Sequence, residues 1–522
     1  MSGTTGESGQ RAANGGGIYR SSGPWPDPGR ALVQALATAP PVTAPPRPTA
    51  PPARWPYLPG LEPARPTAAW RPSTGTVPRP VPRPAAAVRS RRWATRTVLR
   101  AAVVATALLA AAFAALLARA VVAADDGLEV VGHGAGAQVT EANGLYGALA
   151  AMDAELANTL LVGDDTTLGY SRDQARHHYE QDRADAAGAL QVSSANAVTD
   201  AAADDTARLI RMLAEYDNLA GQIAYADAQA DARRLEDPSP AVAQLRRATL
   251  LMHDELLPTA DRLLAEDSHA VEDAYAQRRA DAGLYAGLAL TAGILLTLLL
   301  VGTQVFLFTR THRVVNPALL LASIGAMIVV ATGTGAVFDA RDQLRVAKKD
   351  AFDSVLALTH TIALVEDANG DESRWLVDAS RHDTYGADYT DKTRQIQALF
   401  DREFRNITFA GERDAAQAAR DAYDTYRQDD LHLRAIAEHD LRAAMDFTTG
   451  YQPGQSNWQY QQVQLGLGAV AALNREHMGK ATDSGEHALA GWTVLSVVAA
   501  AGLVGAAYAG IRPRLREYRK GA

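Results

Sequence analysis

Long apolar runs dominate the hydropathy pattern of this chain. Four of them lie at about 101–123, 282–308, 317–338 and 488–511, and the last three contain no charged residue. A helix needs about 20 consecutive, mostly apolar residues to cross a bilayer, and each run is long enough. We therefore predict four transmembrane helices, with the first extending over 97–124 and the others matching their runs.

Between these runs lie two long polar segments with a different, periodic pattern. In the first polar segment (125–281) and the second polar segment (339–487), apolar residues recur every three or four positions, which places them on one face of a helix. The clearest series are Leu145, Leu149, Met152, Leu156 and Leu160, and Val355, Leu358, Ile362 and Val365. Two helix starts are also indicated, by Ser171 with Gln174 as a capping box and by Ser239 before Pro240.

This pattern predicts an all-α integral membrane protein built by tandem duplication. Each polar segment is expected to form a four-helix bundle whose last helix runs on into the following span. The third span is likewise expected to continue past Asp339 to Asp367. Pro258 should bend the helix that leads to the second span, because proline removes a backbone donor and clashes one turn back. The alternative is that Pro258 separates two helices.

The amino-acid composition indicates a disordered tail and excludes several kinds of site. Of the 25 prolines, 19 lie before residue 85, so we predict that 1–96 is a disordered Pro/Arg-rich tail. A docking segment for a cytoplasmic partner is the alternative. The absence of cysteine excludes disulfides, cysteine-based zinc sites and a cysteine nucleophile.

The distribution of charge predicts how the chain crosses the membrane. The stretch 1–100 carries a net charge of +11, the loop 309–316 carries +2 and the end 512–522 carries +4, whereas the whole chain carries −8. The polar segments and spans together therefore hold −25. The positive-inside rule places the three basic pieces, and thus both termini, in the cytoplasm. The protein is expected to be a multi-pass plasma-membrane protein with both polar segments outside.

A search for catalytic, cofactor, metal or nucleic-acid sites finds none, so the sequence does not predict an enzyme. We interpret His177-His178 and His253-Asp254-Glu255 as solvated helix surface, since adjacent histidines face different sides of a helix. The many carboxylates are interpreted in the same way, and the glycines of 132–136 as a flexible linker. Spans two to four lack the ionisable residues that transporters keep within the membrane.

What remains is a sensor or relay with most of its folded mass outside the cell. Packed helices can transmit small shifts across a membrane. We assign signal coupling to Pro258 and to the loop residues Arg310 and Arg313. The alternatives are a direct small-molecule receptor with helical-bundle sensor domains, an envelope scaffold, or a permease subunit.

Several short segments are similar to the actinobacterial GlnX-type membrane proteins. These segments begin at Leu145, Tyr179, Tyr225 and Ala248 in the first polar segment, and at Asp371 in the second, where the sequence reads DESRWL. The resemblance covers about 97–520 and implies a four-span sensor. It also implies two partners: an extracytoplasmic solute-binding lipoprotein for glutamine, glutamate or aspartate, and a cytoplasmic Ser/Thr kinase of the protein kinase G type. A homo-oligomer is compatible with it.

Overall fold

The computed structural model describes residues 95–133, 135–197, 199–229, 239–311 and 316–520. Arg313 and nearly all of the predicted tail lie outside these residues, as does the side chain of Arg310. Within the described residues the chain is all-helical, without a strand.

Thirteen α-helices account for most of the described residues. They are α1 (Thr95–Gly132), α2 (Ala135–Val162), α3 (Arg172–Asn196), α4 (Asp200–Gln229), α5 (Pro240–Leu251), α6 (Leu257–Thr311), α7 (Pro317–Arg345), α8 (Asp353–Val377), α9 (His382–Asn406), α10 (Glu412–Ala437), α11 (Leu441–Thr449), α12 (Ser456–Leu489) and α13 (Trp492–Lys520). Both predicted helix starts are confirmed: Ser171 forms a capping box with Gln174, and the Ser239 side chain accepts from the backbone N–H of Val242.

Four stretches of helix are long and apolar enough to cross a membrane, as the hydropathy pattern predicts. They lie in α1, in the second half of α6, in α7 and in α13. In the structure α1 packs on α6, α6 on α7, α7 on α13 and α13 on α1, which closes a four-helix bundle. Its core includes Phe113, Leu117, Ala289 and Val330.

Two helices continue unbroken from an apolar run into a polar segment. A π-helical turn at Met252–Leu256 joins α5 to α6, and a second one at Val346–Phe352 joins α7 to α8. The predicted continuity is therefore confirmed in both places. The alternative in which Pro258 separates two helices is wrong, because the helix continues through it. The wider π turn directly before Pro258 gives the ring the room that a regular α-turn lacks.

One local prediction is wrong. The last helix of the second polar segment does not run into the fourth span, because α12 ends at Leu489 and Gly491 adopts a left-handed φ of 77° before α13 begins. Glycine reaches this conformation without steric cost. The predicted linker at 132–136 lies where α1 ends, at Gly132, and α2 begins, at Ala135.

The two polar segments pack together along α2 and α8. In the first, α2 contacts α3, α6 and α8; in the second, α8 contacts α9 and α12. One hydrophobic core contains residues from both segments, with Leu149 and Leu245 from the first and Leu376 and Met445 from the second. The predicted face from Leu145 to Leu160 is buried there. The segments therefore form one continuous helical body.

Candidate functional site

An arginine at the centre of this helical body is completely buried. Arg374 on α8 has no exposed surface, and its guanidinium lies 2.6 Å from Oδ2 of Asp153 on α2. It also contacts Asp371 at 2.6 Å and Asp367 at 3.0 Å, both on its own helix. The contact with Asp153 joins the two polar segments by a charge-assisted hydrogen bond away from water, where such bonds are strong.

A second cation completes the cluster. The ammonium of Lys392 on α9 lies 2.8 Å from Asp367 and 2.7 Å from Asp371. We call Asp153, Asp367, Asp371, Arg374 and Lys392 the central charge network. Burial alone would raise the pKa of Asp153, yet the Arg374 guanidinium holds the pKa below its usual value. Burial would also raise the pKa of Asp367, and the nearby Lys392 ammonium holds it below its usual value.

The π turn brings His253 to this network. Its Nε2 lies 3.5 Å from a carboxylate oxygen of Asp153 and 3.5 Å from one of Asp367. The central charge network holds three carboxylates and two cations, so it has one negative charge in excess. The His253 ring faces this excess of negative charge. The helix that continues into the second span is thus tied electrostatically to both polar segments.

Close packing fixes the geometry of the network. The hydroxyl of Tyr216 on α4 donates to Asp153 at 2.8 Å, and that of Thr249 on α5 lies 3.3 Å away. Gly370 on α8 permits the approach of the helices, since a Cβ there would lie 2.8 Å from the Arg374 guanidinium and 3.0 Å from Cβ of Ala154.

Further ion pairs join the segments around the network. Arg246 on α5 binds Asp378, which follows α8, through two contacts of 2.5 and 2.6 Å. Arg442 on α11 binds Asp165, which follows α2, at 2.7 Å. These pairs lie at the end of the body farthest from the apolar helices, because α2 and α8 both run away from those helices. The contact between segments therefore extends to that end.

Two cavities flank the contact. One, of about 1000 Å³, lies between the segments and is lined by side chains of α2, α3, α8 and α12. Two acids face it: burial and the nearby Glu155 raise the pKa of Asp182 to about 7, and burial with Asp182 raises that of Glu366. The other, of about 580 Å³, lies within the first polar segment between α2, α3 and α4.

The structure corrects part of the interpretation of the charged residues. His253 is not solvated surface, since its side chain is only 23% exposed and faces two carboxylates, although Asp254 and Glu255 are exposed. The carboxylates of the central charge network are buried rather than solvating. One signal was present in the sequence: DESRWL places an arginine three residues after an aspartate on a helix with apolar neighbours, a spacing that suits an ion pair.

Pro258 lies two residues after the π turn that carries His253, so the structure places it beside the network's link to α6. Arg313 and the Arg310 side chain are outside the described residues. Within the described residues, no group of three or more His, Asp or Glu side chains is arranged to hold a metal ion.

Residues 127–276 match a family model described as an actinobacterial sensor domain. The matched region spans α2 to α5 and the polar part of α6, and it contains Asp153, His253 and the whole of the smaller cavity. The similarity indicates a sensing or signalling role in an actinobacterial protein. No curated protein and no solved structure matches the chain.

Proposed function

We propose that the protein is a transmembrane sensor that relays extracellular amino-acid availability to a cytoplasmic Ser/Thr kinase. Glutamine, glutamate or aspartate would be presented by a solute-binding lipoprotein. The match of residues 127–276 to a sensor domain and the four apolar helices support the sensing role. The resemblance to GlnX-type proteins supports the amino acids and the two partners.

The proposed arrangement places the polar segments outside the cell. The four spans would be 97–124, 282–308, 317–338 and 488–511, with the first polar segment, 125–281, and the second, 339–487, on the outer side. Both termini and the loop 309–316 would be cytoplasmic, in accord with their basic charge. No catalytic step belongs to this proposal.

One structural observation supports the proposed signalling mechanism. His253, which contacts the central charge network, lies on a helix that runs without a break to Thr311, at the end of the second span. A change in the packing of α2 on α8 alters the field at His253 and therefore the position of this helix. Packed helices switch between discrete arrangements, so the change reaches the loop that holds Arg310 and Arg313.

The test uses cells in which the kinase response to added glutamine can be followed by phosphorylation of a kinase substrate. His253→Gln keeps a polar side chain of similar size but removes the ring nitrogen that faces Asp153 and Asp367. We expect at least a fivefold loss of response with normal membrane insertion. His269→Gln, an exposed histidine farther along the same helix, is the matched control. A full response in His253→Gln cells would remove the network from the signalling path.

A direct small-molecule receptor is the second candidate. The observation that favours it is the cavity of about 580 Å³ inside the region that matches the sensor domain. This volume falls within the range of ligand sites in proteins, about 300–1000 Å³.

A further inference from the structure

The cavity within the first polar segment has an apolar floor. Leu156 and Leu160 of α2 and Ile223 of α4 line it, and Gly221 and Ala224 leave space where larger side chains would fill it. Helix α3 packs closely on α2 but less closely on α4. A gap therefore remains between α3 and α4, at the end of the body away from the apolar helices.

Some of the charged side chains on the polar wall of this cavity are already paired with each other. Arg183 of α3 binds Asp217 of α4 through two hydrogen bonds of 2.8 Å, and the hydroxyl of Tyr179 donates to the same carboxylate at 3.2 Å. These groups close one side of the cavity and present no net charge to a ligand.

Two charged residues at the rim are not neutralised in this way. Arg176 and Glu180 of α3 both line the cavity and are exposed, and neither makes an ion pair or hydrogen bond within the described residues. They lie four positions apart, about 6 Å along the helix. An arginine that precedes a glutamate by four residues is the weaker orientation for a helical ion pair, and no such pair forms here.

We propose that this cavity binds a small zwitterion with an apolar body, of the class of an aliphatic amino acid. The carboxylate of the ligand would accept from the Arg176 guanidinium, its ammonium would donate to Glu180, and its side chain would cover Leu156, Leu160 and Ile223. The inference rests on the proposed sensing role, and it adds a direct ligand that does not require the lipoprotein partner.

The test measures binding to the full chain in detergent by calorimetry, with L-leucine, isocaproate and isoamylamine as probes. Isocaproate lacks the ammonium of leucine, and isoamylamine lacks its carboxylate. Each deletion removes one charge-assisted contact, so leucine should bind about tenfold more tightly than either analogue. Arg176→Gln should weaken leucine to the level of isoamylamine, and Glu180→Gln should weaken it to the level of isocaproate.

Arg211→Gln is the matched control, because Arg211 is an exposed arginine of α4 that does not line the cavity. Its affinity for leucine should equal that of the unchanged protein. No binding of leucine, equal binding of all three probes, or unchanged affinity in the Arg176 and Glu180 variants would overturn the inference. None of these binding outcomes bears on the cellular response to glutamine. A failure of this inference can therefore be told apart from a failure of the proposed relay. Leucine binding in a protein with no kinase response would instead contradict the relay alone.

Discussion

Glu372 is a buried carboxyl group whose surroundings favour its neutral form. It has no exposed surface, and one of its oxygens accepts from Ser456 at 2.9 Å and from Thr448 at 3.2 Å. Burial, and then the nearby carboxylate of Asp430, raise the pKa of Glu372 to about 8. The residue next to it in the DESRWL segment, Asp371, is by contrast paired with two cations.

This raised pKa predicts how stability depends on pH. The folded protein holds the proton of Glu372 up to about pH 8, whereas an unfolded chain releases it near the usual pKa of 4.5. The stabilisation is therefore complete below about pH 4.5 and is lost as the pH rises through about 8. Glu372→Gln cannot titrate, so its melting temperature should fall less between about pH 5 and 8.5 than that of the unchanged protein. Glu438→Gln, at an exposed position, serves as the control, and identical pH profiles for Glu372→Gln and the unchanged protein would refute the assignment.

At the residue scale, the sequence predicts buried apolar positions better than buried charges. Leu145 to Leu160 follow helical spacing, and spacing alone identifies their face. Asp153 lies on the same helix among these leucines, but its partner Arg374 is 221 positions away. Helical periodicity contains no information on contacts between helices so far apart in the chain, so the central charge network was not predictable from it.

Among the elements, the helix that contains Pro258 directly joins the central charge network to an apolar run. Its π turn leaves Leu257 donating to the carbonyl of Met252, five residues back. Alanine restores a backbone donor and favours a regular α-helix. That change would rotate His253 relative to the central charge network.

We therefore expect Pro258→Ala to keep the fold and to change the kinase response to glutamine by at least threefold. Circular dichroism and the melting temperature report on the fold, and substrate phosphorylation reports on signalling. Ala260→Gly, two residues farther on at a buried site, is a control that weakens the helix without restoring a donor. A normal response in Pro258→Ala, combined with intact folding, would exclude a role for the bend in signalling.

The elements themselves follow largely from the sequence, apart from their interruptions. Apolar runs, capping residues and helical periodicity predict the four spans and the helix starts at Arg172 and Pro240. The break at Gly491 is different, because a glycine within an apolar run is compatible both with a continuous helix and with a left-handed turn. The sequence gives no signal for the π turns either, since their residues are ordinary helix formers.

At the scale of the whole molecule, the loop between α6 and α7 joins the helix that comes from the first polar segment to the helix that leads into the second. It ends at Asn316, whose amide donates to the carbonyl of Gly510 on α13 at 2.7 Å. This hydrogen bond joins the start of α7 to α13. Arg310 and Arg313 give this loop its charge.

Arg310→Ala combined with Arg313→Ala should uncouple the stimulus from the kinase while insertion stays normal. The measurement is substrate phosphorylation after glutamine addition, in cells where reporter fusions verify the topology. Lys520→Ala with Arg519→Ala removes the same charge from the C-terminal end and is the control. If the loop variant responds fully, its arginines only fix topology, through their attraction to anionic lipid of about 1 kcal/mol each.

The packing of the two polar segments into one body is the property that the sequence did not predict. Each segment has the length and periodicity of a separate bundle. Their contact depends on small residues that face each other, such as Gly147 on α2 and Ala363 on α8, where a Cβ on Gly147 would lie 3.6 Å from Cβ of Ala363. That distance suits a disulfide between two introduced cysteines, and the chain itself contains no cysteine that could interfere.

The double variant Gly147→Cys with Ala363→Cys therefore tests the central claim, that the two segments signal by changing how they pack outside the cell. In intact cells the disulfide should form without added oxidant, because the extracytoplasmic space is oxidising. The locked protein should give no kinase response to glutamine, and a membrane-impermeant reductant should restore it. A disulfide that fails to form, or a locked protein that still responds, would contradict the account.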